Sequence, residues 1–237
     1  MRLRIRAHEQ RIRSMFDAIA PDYDRLNHSL SFGQDALWRM ATARRARLGA
    51  DEVALDVGTG TGDLALSILD RSHPTSRLVG LDLASEMFGR ALRKARRRGV
   101  GHRFVVIQGS ALDIPASDAS FDRVVSGFTI RNVADLSRAF GEMRRVLRPG
   151  GRAVLLELSK PRPGLFAKVY RAYLYGFLPR AASLLGGDPA AYAYLPDSLT
   201  PFPDAAALAR RLQEAGFAQV RYTRLTFGIA AIHEATR

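Results

Sequence analysis

From residue 53 to residue 159 the chain switches repeatedly between two hydrophobic periods. Short apolar runs bounded by Gly, Asp or Ser read as buried strands, and segments with apolar residues three and four apart read as helices. The strands are "VALDV" (53–57), "RLVGLD" (77–82), "HRFVVIQG" (102–109), "FDRVVSGF" (121–128) and "RAVLLELS" (152–159). The helices are "TGDLALSILDR" (61–71), "ASEMFGRALRKARRRG" (84–99) and "ADLSRAFGEMRRVLRPGG" (134–151), the last stopped by Pro149, Gly150 and Gly151. Strands alternating with helices predict an α/β fold, with a parallel sheet covered on both faces.

The tail departs from this alternation. "DAAALARRLQEAGF" (204–217) is a helix, and "AQVRYTRL" and "GIAAIHEA" follow so closely that they must form an antiparallel pair at the sheet edge. Residues 1–50 and 160–203 lie outside the pattern. In the second of these, Leu165, Phe166, Val169, Tyr170, Tyr173, Leu174, Phe177 and Leu178 share one helical face, opposite Lys168 and Arg171. That stripe fits a helix packed over the sheet. It also fits an interfacial helix at an anionic membrane. With no repeat or linker, a single domain over 1–237 is expected: a helical cap (1–50), a cofactor-binding core (51–159), a substrate-side insertion (160–203) and a C-terminal helix with a strand pair (204–237).

Composition narrows the setting. Cysteine is absent, which excludes disulfides, thiolate metal sites and a cysteine nucleophile. No apolar run approaches the roughly 18–20 residues of a membrane span, and the basic first residues lack the apolar stretch of a signal peptide. A cytoplasmic location is expected, and no metal site. The formal net charge is +13, carried by 33 Arg and 3 Lys. It fits a nucleic-acid partner, an anionic membrane, or arginine-rich composition alone. The densest run, "RALRKARRRG" (90–99), ends a predicted helix, where cations suit the helix dipole. No base-flipping Asn-Pro-Pro-Tyr motif occurs, so nucleic acid is the less favoured partner, and an RNA-binding or RNA-modifying protein stays as the alternative of a different class.

"LDVGTGTGDL" (55–64) carries the candidate chemistry. In an open parallel sheet the ligand lies beyond the carboxyl end of the first strand. Gly58, Gly60 and Gly62, with Thr61 among them, permit tight turns and close approach to a ligand. Asp56 just before the loop is a poor neighbour for a pyrophosphate and suits a cofactor with a cationic end, such as the amino group of S-adenosylmethionine (SAM). Asp82, at the end of the second strand, can accept both ribose hydroxyls; alternatively Asp82 or Ser85 caps the next helix. Ser110 and Ala111, after the third strand, either lie along the adenine or form an ordinary strand exit.

Four blocks give the chain a more specific resemblance: "MFDAIAPDYDRLNHSLSFGQDALWR" (15–39), "LDVGTGTGDL", "SGFTIRNVADLSRA" (126–139) and "YAYLPDSLTPFP" (192–203), with the ending "LTFGIAAIHEA" (225–235). In these it resembles the demethylmenaquinone and ubiquinone-biosynthesis C-methyltransferases. The resemblance implies a Rossmann-like methyltransferase sheet of seven strands, six parallel and one antiparallel. It also implies a polyprenyl hydroquinone substrate, most simply demethylmenaquinol, met at the inner face of the cell membrane; another small-molecule substrate on the same frame is the alternative. It adds Gly127 to the cofactor contacts. Ser110 stands where the family often has Asn or Asp, and Thr129 where it often has Gly. C-methylation needs an electron-rich ring, hence a quinol oxyanion. Arg131 is the candidate to stabilise it. The other reading of Arg131 is a surface ion pair. Asn132 either orients substrate or caps the following helix. Tyr23, Tyr192, Tyr194, His28, Ser198 and His233 complete the polar candidates, with His233 expected to be structural and Trp38 to pack.

Overall fold

The computed structural model describes residues 2–178, 180–181, 194 and 196–237. Strands β1 (Val53–Val57), β2 (Arg77–Asp82), β3 (Phe104–Gln108), β4 (Phe121–Gly127), β5 (Leu147–Leu158), β6 (Ala218–Leu225) and β7 (Ala230–Thr236) form one sheet in the order β3-β2-β1-β4-β5-β7-β6. The first five run parallel, and β7 is antiparallel to both β5 and β6. The expected C-terminal hairpin is present. Its inner place goes to β7, whose Ala230, Ala231, Ile232 and Ala235 are buried, while β6 carries Arg221 and Arg224 to the open edge. Charges on an edge strand discourage pairing with another chain.

Helices α1 (Arg2–Ile19), α2 (Tyr23–Leu30) and α3 (Gln34–Arg45) precede the sheet. After it begins come α4 (Asp63–Leu69), α5 (Phe88–Arg97), α6 (Leu136–Val146), α7 (Leu165–Ala172) and α8 (Ala205–Glu214). The period of two divides each strand between two cores. On β5, Val154 and Leu156 join Ala43, Leu66 and Ala91 of α3, α4 and α5, whereas Ala153 and Leu155 join Phe140 and Leu208 of α6 and α8. Fully burying one such side chain is worth about 1.5–3 kcal/mol, so the two faces fix the register of every strand. The same alternation puts Asp56 on the face of Ala54, beside α4.

Two expected boundaries shift. The helix expected over 134–151 ends at Val146, and β5 begins at once with Leu147. Leu147 pairs with Phe121 and Arg152 with Arg123, so Arg148 to Gly151 bulge out of the ladder. Pro149 has no amide to give the ladder and disfavours helix at the residue before it. The stripe over 165–178 is not a uniform packed helix. Leu174 and Leu178 bury against Leu26, Leu30 and Leu199, but Leu165, Phe166, Val169 and Phe177 face outward, and the last turn widens to a π-helix over Tyr173–Phe177. No helix among the described residues is long and apolar enough to cross a membrane.

Candidate active site

The loop after β1 turns under the end of β2. The amides of Gly58 and Thr59 donate to Leu81 O at 2.7 and 3.0 Å. Gly58 has φ 73°, and a Cβ there would collide with the Thr129 side chain. Gly60, at φ 53°, has open space where a Cβ would stand. Its amide donates to Asp82 Oδ2 at 2.7 Å, and Ala84 N donates to Asp82 Oδ1 at 3.0 Å. Asp82 therefore ties the glycine loop to the turn after β2. The turn that follows begins at Ser85 with Ala84 in the cap position, and no side chain caps it. Burial raises the Asp82 carboxyl above its ordinary range despite these amides.

Asp56 is buried beside the first turn of α4, whose Ala65 amide acts on its carboxylate. Thr59 Oγ1 donates to Oδ2 at 2.9 Å, while Oδ1 has no hydrogen-bond partner. Burial pushes the carboxyl up to about 7, with the Thr59 hydroxyl opposing. A buried acceptor left open beside a cavity is the chemistry of a site for a cationic group. That is the fit expected for the amino end of SAM.

The cavity over this loop encloses about 1010 Å³ of empty space, open mouth included. Its walls include Asp56, Gly58, Gly60, Thr61, Asp82, Ser110, Ala111, Gly127 and Asn132. Gly62 starts α4 directly beneath. The sequence candidates thus converge on one hollow. Thr61, however, donates its hydroxyl to Asp24 of α2 at 2.5 Å, and Ser110 donates to Glu9 of α1. The N-terminal helices roof the cavity through these bonds.

A second cavity, about 1490 Å³ with its mouth, lies beside the first. Leu30, Trp38, Leu158, Tyr170, Leu174 and Ile229 make it mainly apolar. Tyr23, Arg39 and Phe128 line both cavities. Arg131 lines the second and Asn132 the first.

Arg131 is no surface ion pair. Its Nη1 donates to Glu157 Oε1 at 2.7 Å and to Phe128 O at 2.5 Å, its backbone amide donates to Glu157 Oε2 at 3.1 Å, and its Nε has no partner. Glu157, 1% exposed at the end of β5, keeps the guanidinium charged. Tyr23 and Tyr194 lie within its field. Burial raises both hydroxyls, and the nearby guanidiniums oppose that rise: Arg39 and Arg131 at Tyr23, Arg131 and Arg11 at Tyr194. Asn132 does not cap the next helix. Asp135 does, accepting from Arg138 N at 3.0 Å, and the buried Asn132 Oδ1 stays without a partner.

The remaining candidates fall elsewhere. His233 is buried, with Nε2 donating to Ala205 O at 2.8 Å, and burial lowers its pKa. His28 sits beside Asp35 at 3.3 Å with its ring mostly exposed. Trp38 packs on Phe128 and donates to Thr226 Oγ1 at 2.9 Å. Ser198 is buried away from both cavities' walls. Tyr192 lies outside the described residues. Two residues at the junction escaped the sequence reading. Arg39, paired with Asp35, lies over the Phe128 ring at 5.5 Å. Glu157 had left one signal: a carboxylate inside the apolar run "AVLLELS" must be paired.

The sheet order, the glycine loop and the two carboxylates define the class, a SAM-dependent methyltransferase. A SAM-dependent methyltransferase of Thermotoga maritima, described as a possible histamine N-methyltransferase, superposes with a TM-score of 0.66 at 18% identity, over 94% of this chain and 98% of that one. That likeness shows the fold. The model of the ubiE/COQ5 methyltransferase family matches residues 4–237, and the chain belongs to that family. It is 47% identical over 223 residues to the demethylmenaquinone methyltransferase of Thermus thermophilus, covering 94% of this chain and 100% of that one. It is 44% identical to the enzyme of the same name from Deinococcus radiodurans, covering 94% and 91%. Family and fold together imply the use of SAM.

Proposed function

We propose that the protein methylates a ring carbon of a polyprenyl hydroquinone, converting demethylmenaquinol to menaquinol. The observation that carries this is the junction of a polar cavity with an apolar one at Tyr23, Arg39 and Phe128, with Arg131 at the same place. The names of the relatives above supply the substrate class.

The open Oδ1 of Asp56 holds the ammonium end of SAM, and Asp82 accepts from its ribose. Gly60, with open space where a Cβ would stand, admits it closely; Gly58, Thr61 and Gly127 complete the wall, and Ser110 with Ala111 flank the adenine. Bound SAM supplies an electrophilic methyl group. The quinol head lies at the junction and its prenyl tail in the apolar cavity. Arg131 stabilises the quinol oxyanion by a charge-assisted hydrogen bond in a buried site, where such bonds are strong. Glu157 fixes one arm of the guanidinium and leaves the rest for substrate. Tyr23, which lines both cavities, relays the phenolic proton toward solvent; Tyr194 lies in the field of Arg131 but on neither cavity's wall. The buried Asn132 Oδ1 accepts from a substrate hydroxyl or a water. Methyl transfer would form the ring C–CH3 bond as the S–CH3 bond breaks, the neutral thioether would leave as the spent cofactor, and the ring proton would pass to water, restoring the aromatic ring. The roofing by α1 and α2 keeps water from the cofactor.

In this reading residues 1–237 act as one domain, with the N-terminal helices as cap and 160–203 on the substrate side. The protein works in the cytoplasm in peripheral contact with the anionic inner face of the membrane. The test incubates it with methyl-labelled SAM and a panel of reduced demethylated quinones, followed by mass spectrometry of the lipid fraction. Label should enter demethylmenaquinol as one added methyl. Transfer to none of the quinols would remove the substrate assignment.

A further inference from the structure

Among the described residues seven non-glycine residues have positive φ, and four of them, Phe32, Phe128, Thr226 and Phe227, line the apolar cavity. A bulky side chain at positive φ is strained. Such strain persists where the surroundings impose it, and it clusters at functional sites. Phe128 sits inside the cavity, packed on Trp38. Phe32 and Phe227 are different. They stand at φ 52° and 56° on two turns, 74% and 79% exposed. Among the described residues neither is buried enough to offset its strain. Both point to a partner outside it.

The two turns flank one mouth. Phe227 packs on Phe166 with ring centroids 5.0 Å apart, and Phe32 on Tyr173 at 6.1 Å. Leu165, Val169 and Phe177 extend the same exposed apolar face along α7 and the π-turn. An apolar patch of this kind marks an interaction surface. Its surroundings say which kind. Residues 160–181 contain no Asp or Glu, and Arg162, Lys168, Arg171 and Arg180 are exposed there. Apolar rings among cations that form no ion pair with the described residues suit the boundary between anionic headgroups and acyl chains. A soluble protein partner would need no opening behind the rings. Here the mouth leads inward to Tyr23, Arg39 and Arg131.

We propose that the Phe32 turn, the Phe227 turn and the outer face of α7 insert into an anionic bilayer, so that a lipid-borne substrate enters the apolar cavity without crossing water. The inference rests on the reading of the substrate as a prenylated quinol.

The test uses the full chain and flotation with phosphatidylcholine vesicles, with and without phosphatidylglycerol. The variant is Phe32→Asn with Phe227→Asn. Asn tolerates positive φ better than Phe, so folding should survive and thermal stability should hold or rise. Binding to the anionic vesicles should fall roughly tenfold for each ring removed. Because the chain has no cysteine, Phe227→Cys can carry a single environment-sensitive dye, whose emission should shift blue on vesicles. Wild-type flotation by the double variant, or an unchanged dye spectrum, would overturn the proposal. So would a lipid-free dimer that the double substitution dissolves, which would assign the face to a second copy. Methylation of a short-tailed, water-soluble quinol without vesicles tests the enzymatic reading separately. Its absence sinks that reading and leaves the vesicle result to decide the docking surface.

Discussion

Asp56 offers a buried carboxylate oxygen to whatever fills the cavity. With its folded pKa raised to about 7, the protonated form is favoured below that pH in the unliganded protein. The stabilising effect of that proton is present below the unfolded pKa and is lost as pH rises to about 7. The window corresponds to roughly 4 kcal/mol as an upper bound. An ammonium ligand prefers the carboxylate, so its binding expels the proton. SAM affinity should climb between pH 5.5 and 7 and then level. Calorimetry in two buffers of different ionisation heat should detect proton release at pH 6. Asp56→Asn should bind weakly with that slope gone; an unchanged slope would assign the proton elsewhere. Arg131 needs a careful substitution. Arg131→Ala leaves Glu157 buried and unpaired, a loss of about 3–5 kcal/mol, and so confuses folding with catalysis. Arg131→Lys keeps the charge toward Glu157 and loses the planar fork. Its single-turnover rate at saturating SAM and quinol should fall about a hundredfold with little change in binding. A normal rate would leave Arg131 a structural partner of Glu157.

At the scale of elements, one cation joins the Thr61–Asp24 hydrogen bond in fastening the cap to the cofactor loop. Lys94 of α5 lies 2.6 Å from both Asp24 of α2 and Asp63 of α4, with Thr61 Oγ1 at 3.0 Å. All three charged groups are about a quarter to a third exposed, so each pair is worth about 1 kcal/mol or less. Lys94→Met should therefore cost about 1–2 kcal/mol, a fall in Tm of a few degrees for a chain of this size. The effect should be local, because the two carboxylates then repel α2 from the loop. Amide exchange over Tyr23–Leu30 should quicken while β1 keeps its protection, and SAM should bind several-fold more weakly. Unaltered exchange in α2 would show that the Thr61–Asp24 bond and the packing of Phe16 and Tyr23 on Ala84 and Met87 hold the cap without the cation.

The whole molecule carries +13. An excess cationic field of this size acts at a distance and is screened by salt within about 10 Å at 0.1 M. Sedimentation with anionic vesicles should be strong at low salt and decline as salt rises, and neutral vesicles should bind less throughout. Equal partitioning to both would leave the charge without a role in the membrane encounter. Retention on RNA with a steep salt slope would favour the nucleic-acid alternative instead.

What repeats along the chain, or stays within one turn of it, is legible from residue order. Alternating periods gave five parallel strands and their helices, because burial on a sheet face follows every second residue whatever lies beyond it. The glycine loop was legible with Asp56 because a single turn contains them, and Asp82 because it ends the neighbouring strand. Tertiary structure decided what joins distant positions. Glu157 meets Arg131 across 26 residues, Thr61 meets Asp24 across 37, and Trp38 meets Thr226 across 188. No period encodes such pairings. They arise when parallel strands bring their carboxyl ends to one edge and the N-terminal helices fold over it. The same closure placed Phe32 and Phe227 at one mouth, though 195 residues separate them in the chain. Each sits in a turn whose strain the sequence does not announce, since positive φ at phenylalanine is imposed by the elements on either side rather than chosen by the residue.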